Sequence, residues 1–326
     1  MLYCHGFFDF IVACDRALPE LPRIPSPAPG VPVLVVRFDA PQGCGQVIDL
    51  EPWPDDAGRV LQGRAGDAIR IRVLGLADFL VRPALAAVEC HGLPDANPSD
   101  VRHFLLNQIL PRLVGDRSPL VLHAGGVLTD LGAIALVGPS GIGKSTLAAS
   151  FGASGEARVL ADDAVRIMDD GAGVRLIGAY GAFRLRPDSR VALRLPGEGP
   201  LVGPGKTILA APRGAAIGEG SHPLAAVFML QASAAGGSAI TALPLSGAPS
   251  VLGLIRHVFF LDPGDPALIR RQFEAVGSLV LADCGLYTLD YPRRFGVLPQ
   301  VRAKIIAALH ERAGRGLDQC VGALEG

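Results

Sequence analysis

Lysine is nearly absent from this chain. Of 30 basic residues only three are lysines, Lys144, Lys206 and Lys304, so the positive charge is almost all arginine. Nor is there an excess of either sign: 30 Lys+Arg stand against 31 Asp+Glu. That balance gives no electrostatic footprint for nucleic acid or an anionic membrane, and neither is expected as a partner. Cysteine is sparse and scattered, at Cys4, Cys14, Cys44, Cys90, Cys284 and Cys320. No pair stands at C-x-x-C spacing, which argues against a cysteine zinc site and fits reduced thiols in a cytoplasmic protein. No apolar run reaches the roughly eighteen residues of a membrane-spanning helix. Met1 to Val12 carries Asp9 and neither lysine nor arginine, so a signal peptide is not expected. Internal repeats are also missing.

What is present is enough to build a core. The 326 residues are 49% apolar and 19% charged, which fits a globular protein of one large or two medium domains. The most informative stretch runs from Val137 to Thr146 and reads V-G-P-S-G-I-G-K-S-T. Ala133 to Val137 before it has the length of a buried strand, and Leu147, Ala148, Ala149 and Phe151 after it suit a helix. Strand, glycine-rich turn and helix form the context of a phosphate-binding loop. Gly138, Gly141 and Gly143 let backbone N–H groups turn inward, and Ser140 and Ile142 complete the curl. Lys144 is placed to reach the β- and γ-phosphates of a nucleotide and Ser145 to ligate Mg²⁺, and Thr146 belongs to the same nucleotide-binding set.

Around this loop the expected organisation is α/β (α+β). Residues 1–92 are expected to form a small, mostly β domain, and residues 93–326 a phosphate-loop domain with a mixed sheet. A proline-rich stretch from Leu18 to Gly30 reads as an extended connector. Strands are expected over Val31 to Phe38, Asp67 to Val73, Phe79 to Val81 and Ala84 to Cys90. Ser99 is expected to cap a helix that Pro111 kinks or divides. A strand over Leu120 to Val127 holds His123, and Arg158 to Ala161 leads into Asp162 and Asp163. Residues 196–220, rich in glycine and proline, read as a substrate loop. Further strands are expected over Leu224 to Leu230, Ile240 to Leu245 and Leu286 to Tyr291, and a last helix over about 298–312.

Asp162 and Asp163 follow the loop in importance, because a carboxylate at the end of a neighbouring strand anchors the metal in phosphate-loop enzymes. Adjacent strand residues face opposite ways, so both serve one site only if the strand has ended before them. Arg184, Arg186, Lys206 and Arg213 are candidates for a phosphate or acidic-substrate clamp, against the alternative of solvated surface charge. Asp188 and Ser189 read as a turn.

His123-Ala-Gly-Gly-Val, Gly138 to Ser145 and Leu160-Ala-Asp162-Asp163-Ala-Val, in this order and spacing, resemble the catalytic domain of HPr kinase/phosphorylase. The likeness is closer to HPr-kinase-related proteins that accompany lasso-peptide biosynthesis. These have an opening like His5-Gly-Phe and Ala17 to Pro22, a segment like Tyr180 to Ser189, and a closing pattern like Leu289-Asp-Tyr-Pro-Arg293. The resemblance implies a phosphoenolpyruvate-carboxykinase-like nucleotide domain and Mg-ATP-dependent phosphorylation of a serine on a peptide or small protein. It implies Asp162 as general base, Asp163 as an aid to Mg²⁺, and His123 beside the transferring phosphate. Thr146 stands where the bifunctional members have glutamate, so kinase activity is expected without phosphorolysis. A small-molecule kinase and a non-catalytic ATP-binding regulator are the alternatives, and self-association into a homo-oligomer is compatible with all three.

Overall fold

The computed structural model describes residues 2–322 apart from 25–28, 39–49, 54–57, 119, 181, 196–200, 203–205, 211–219, 233–238 and 283. It is a mixed α/β protein of two compact units. The first comprises Met1–Val121, Val202–Pro204 and Phe259–Ile269; the second comprises Leu122–Leu201, Gly205–Val258 and Arg270–Gly326. The helical stretch after residue 92, expected in the second domain, therefore groups with the first unit.

An eight-stranded sheet forms the first unit. Its spatial order is Tyr3–Phe7, Phe10–Cys14, Val33–Arg37, Ala87–Gly92, Ala77–Arg82, Ala68–Val73, Val60–Ala65 and Glu51–Pro52. Alternation drives it: Ile69, Ile71 and Val73 are buried, while Arg70 and Arg72 face the other way and both bond to Asp78 across the ladder. The proline-rich connector is packed rather than merely laid on the surface, with Leu18 and Leu21 buried. Its backbone covers the edge strand, since Gly6 N–H donates to the Pro22 carbonyl at 2.9 Å and Ile24 N–H to that of Cys4 at 3.0 Å. Buried His5 accepts the Leu18 N–H through Nε2 at 3.2 Å, which fixes the connector's start.

The helix of this unit starts two residues earlier than expected. Asn97 caps it, accepting from the Ser99 N–H, and Pro98 takes the first turn, where a missing N–H costs nothing. Pro111 does divide it. A π-turn at Leu105–Ile109 joins the Pro98–Phe104 helix to the Leu110–Arg117 helix, and Leu110 N–H reaches back five residues to Leu105. The wider turn absorbs the break that a ring without an N–H imposes.

The second unit is built on a mixed sheet. Arg158–Ala161, Ala124–Thr129, Gly132–Val137 and His222–Leu230 lie side by side. His222–Leu230 pairs in parallel with Gly132–Val137 and with Gly285–Asp290, and Thr241–Pro244 lies antiparallel beyond the latter. Val165–Asp169 and Val174–Gly178 form a hairpin around Asp170 and Gly171. Leu147 and Phe151 of the Lys144–Ser154 helix, with Leu298, Val301 and Ile305 of the last helix, pack in one core with Ile134, Leu136 and Phe228. Phe228 stacks on Tyr287 with centroids 5.0 Å apart. The last helix, Leu298–Gly322, outruns its expected end.

Two expectations are corrected here. Leu120 to Val127 is two strands, Leu120–Leu122 and Ala124–Thr129, broken at His123, because His123 N–H bonds to the His257 carbonyl at 2.7 Å instead of a ladder partner. Residues 196–220 are not loop throughout: Lys206–Ala210 is a strand, paired antiparallel with Ala182–Leu185. Lys206–Ala210 holds the β-branched Thr207 and Ile208 and finds a partner strand, which outweighs the glycines around it.

Candidate functional site

The site lies in the second unit, at one edge of its sheet. Gly132–Val137, His222–Leu230 and Gly285–Asp290 run parallel, so their carboxyl ends meet there. The crevice beyond such ends is where open α/β sheets bind ligands. Gly138 leaves the first strand with φ +155°, and a Cβ there would stand 3.2 Å from the Leu230 carbonyl oxygen and 3.1 Å from Ile142. Pro139, Ser140 and Gly141 form the exposed crest, and Ile142 tucks back toward the core. Gly143, at φ +104°, leads into the Lys144–Ser154 helix without a side-chain cap. The chain therefore turns its first helical N–H groups toward the crest, as an anion cradle requires.

Lys144 is buried, and its ammonium donates to the carbonyls of Gly138 at 2.7 Å and Pro139 at 3.1 Å. It thus bridges the two sides of the loop. Ser145 and Thr146 follow in the first helical turn, half-buried. Thr146 Oγ1 lies 3.2 Å from the hydroxyl of buried Ser189. Ser189 is not in a turn: Pro187–Ala192 is a short helix, and Asp188 accepts the Ser189 N–H.

Strand order brings the carboxylates beside this loop. Ala124–Thr129 is antiparallel to both Gly132–Val137 and Arg158–Ala161, so these two outer strands end on the same side. Ala124 pairs with Val137 on one flank, and its N–H donates to the Asp163 carbonyl at 3.1 Å on the other. Two strand spacings put the aspartate backbone about 10 Å from the loop strand. The Arg158–Ala161 strand stops at Ala161, so the condition for Asp162 and Asp163 to share a site is met. Both are buried. The fit is tight: a Cβ on Gly178 would lie 2.2 Å from the Leu160 carbonyl oxygen, so only glycine lets the Val174–Gly178 strand pass beneath.

His123 joins the same cluster. Its Nδ1 lies 3.0 Å from the Asp163 carbonyl oxygen. A carbonyl only accepts, so Nδ1 carries the proton of this bond. His257, which no sequence spacing marked, is also here. Its carbonyl holds the His123 N–H, and its imidazole pKa is lowered to about 4 by burial, with the Lys144 and Arg256 charges adding to the shift. Arg293 was visible only as the end of the closing Tyr-Pro-Arg pattern. It lies over the Tyr291 ring with Cζ 3.7 Å from the centroid. Tyr291 is buried against the loop, its hydroxyl 3.3 Å from a Cβ placed on Gly143.

The arginine clamp is placed only in part. Arg186 is exposed ahead of the Pro187–Ala192 helix. The side chains of Arg184 and Lys206, and all of Arg213, lie outside the described residues. Among the described residues no group of three or more His, Cys, Asp or Glu gathers around one point. Mg²⁺ does not need one, because it is usually held by one or two protein oxygens together with waters and substrate phosphates. Ser145 and the paired aspartates are oxygen donors of that kind. No helix among the described residues is long and apolar enough to cross a membrane.

No protein-family model matches the chain, and no curated protein matches it. Among solved structures it is similar to the HPr(Ser) kinase/phosphatase from Coxiella burnetii, at 12% identity and a TM-score of 0.38, over 63% of this chain and 99% of that one.

Proposed function

We propose that this chain is a Mg-ATP-dependent kinase that phosphorylates a serine hydroxyl on a peptide or small protein. The observation that carries the reading is the placement of two buried aspartates and His123, bonded to the Asp163 carbonyl, beside a glycine-rich loop held by Lys144. Phosphoryl transfer asks for cations on the phosphates, a carboxylate to take the acceptor proton, and a fixed geometry between them. The loop amides and Lys144 would hold the phosphates. Asp162 would accept the serine proton, Ser145 and Asp163 would hold Mg²⁺, and His123 would orient the Asp163 segment through its ring bond. Mg²⁺, when bound, would supply positive charge for the oxygens of the transferring group.

The resemblance to lasso-peptide kinases supports a serine at or near the C-terminus of a precursor peptide as acceptor. Mass spectrometry of such peptides after incubation with Mg-ATP tests it: a gain of one phosphate on the terminal serine is expected. Asp162→Asn should remove that gain, slowing transfer by about 10²- to 10⁴-fold while Mg-ATP affinity stays within about twofold. Undiminished transfer by this variant would overturn the base assignment, and a wild-type chain that labels no hydroxyl would leave an ATP-binding regulator in its place.

A further inference from the structure

The reading above accounts for the phosphates of the nucleotide and leaves its base unplaced. The carboxyl ends of Gly285–Asp290 and His222–Leu230 adjoin the loop, and Arg293 leaves the first of them. Its guanidinium is fixed at both ends. Nη1 donates to the Tyr291 carbonyl at 2.7 Å, and Nη2 donates to the carbonyl of Gln231, the residue that follows the neighbouring strand. One face of the plane is covered by the Tyr291 ring at 3.7 Å. The aliphatic stem passes the loop, Cδ lying 4.0 Å from a Cβ placed on Gly143, and the residue as a whole is exposed.

Each terminal nitrogen of Arg293 has a carbonyl partner, which uses two of the five N–H donors and fixes the plane. The face opposite the Tyr291 ring is then the flat side of a held, planar cation. Planar π-systems stack on such a face, and a guanidinium that is pre-ordered loses little entropy in accepting one. We infer that the Arg293–Tyr291 pair is the nucleobase shelf of this site, with the base of the nucleotide stacked on the outer face of the Arg293 guanidinium. The inference rests on the phosphate loop binding a nucleotide.

Calorimetric binding of Mg-ATP and of Mg-tripolyphosphate, which has no base, separates the two readings. Arg293→Ala is expected to weaken Mg-ATP by about 5- to 100-fold, the range for loss of one stacked base. Mg-tripolyphosphate should stay within twofold, which also reports an intact loop. Arg293→Lys keeps the charge and loses the plane, so it should behave like the alanine variant. Rescue by lysine, unchanged Mg-ATP affinity in Arg293→Ala, or loss of Mg-tripolyphosphate affinity in either variant would overturn the shelf. The function reading fares separately: wild-type chain that binds Mg-ATP and loses it in Lys144→Ala keeps the nucleotide site even if the shelf falls. A wild-type chain that binds neither ligand overturns both.

Discussion

Lys144 is the residue on which the site turns. Its ammonium donates to the carbonyls of Gly138 and Pro139 at the start of the loop and would exchange them for phosphate oxygens. A charge-assisted bond of this kind contributes about 1.5–3 kcal/mol. Lys144→Ala should therefore weaken Mg-ATP by about 10- to 100-fold in calorimetry and abolish measurable transfer. His257 makes a second prediction. Its imidazole is held to about 4 from an ordinary 6.5, first by burial and then by the charges of Lys144 and Arg256. Such a histidine is neutral in the fold and charged when unfolded at mild acid. Its contribution to stability is complete above 6.5, declines as pH falls from there and is lost near 4. Thermal melts should thus fall between pH 6.5 and 4.5 more steeply for the wild type than for His257→Asn, and equal slopes would refute the coupling. No spacing in the sequence marked His257 or Arg293, because each reaches the loop from an element more than a hundred residues away. The loop residues were legible because their chemistry is contiguous.

At the scale of elements, the strand that ends at Ala161 carries the aspartates only as precisely as the hairpin packed on it allows. Gly178 is where the hairpin crosses that strand, with the Leu160 carbonyl 2.2 Å from where a Cβ would stand. Backbone must move to admit a methyl group, and overpacking of this kind costs about 1–3 kcal/mol or more. Gly178→Ala is expected to lower the melting temperature by several degrees and to slow transfer more than it weakens Mg-ATP, since the aspartates move and the loop does not. An unshifted melt would show that the strands separate there at little cost. Most strands were readable from alternation or from short apolar runs, as in Ala68–Val73 and Gly285–Asp290. Two of the misread elements share one cause. His123 interrupts a strand because a carbonyl from residue 257 captures its N–H, and Lys206–Ala210 is a strand because Ala182–Leu185 pairs with it. Neither partner is local.

At the scale of the molecule, the first unit takes its residues from more than one part of the chain. The Pro98–Phe104 helix lies on the sheet through Phe104, which stacks on Phe79 at 5.6 Å and on Trp53 at 6.0 Å. Arg112 lies between the rings of Trp53 and Phe259, and Gln62 donates to the Leu261 carbonyl. A chain cut before residue 93 would expose Val101, Leu105, Leu106 and Ile109, all buried in the intact unit. Truncation of residues 1–92 is therefore expected to give aggregated protein, by light scattering and size exclusion, rather than a separable kinase. A monodisperse, folded truncation would place the boundary where the sequence suggested. By itself the sequence determined the strand, glycine-rich turn and helix around Val137 to Thr146, the approach of a strand to paired aspartates and the mixed α/β class. These depend on residues adjacent in the chain: glycines that permit positive φ, a helix start, and apolar alternation. The tertiary structure alone decided which distant groups stand around the loop, because that follows from strand order. Two strands ending on the same side bring Asp162 and Asp163 to the end of the sheet that carries the loop, and a parallel neighbour delivers Arg293 to Gly143.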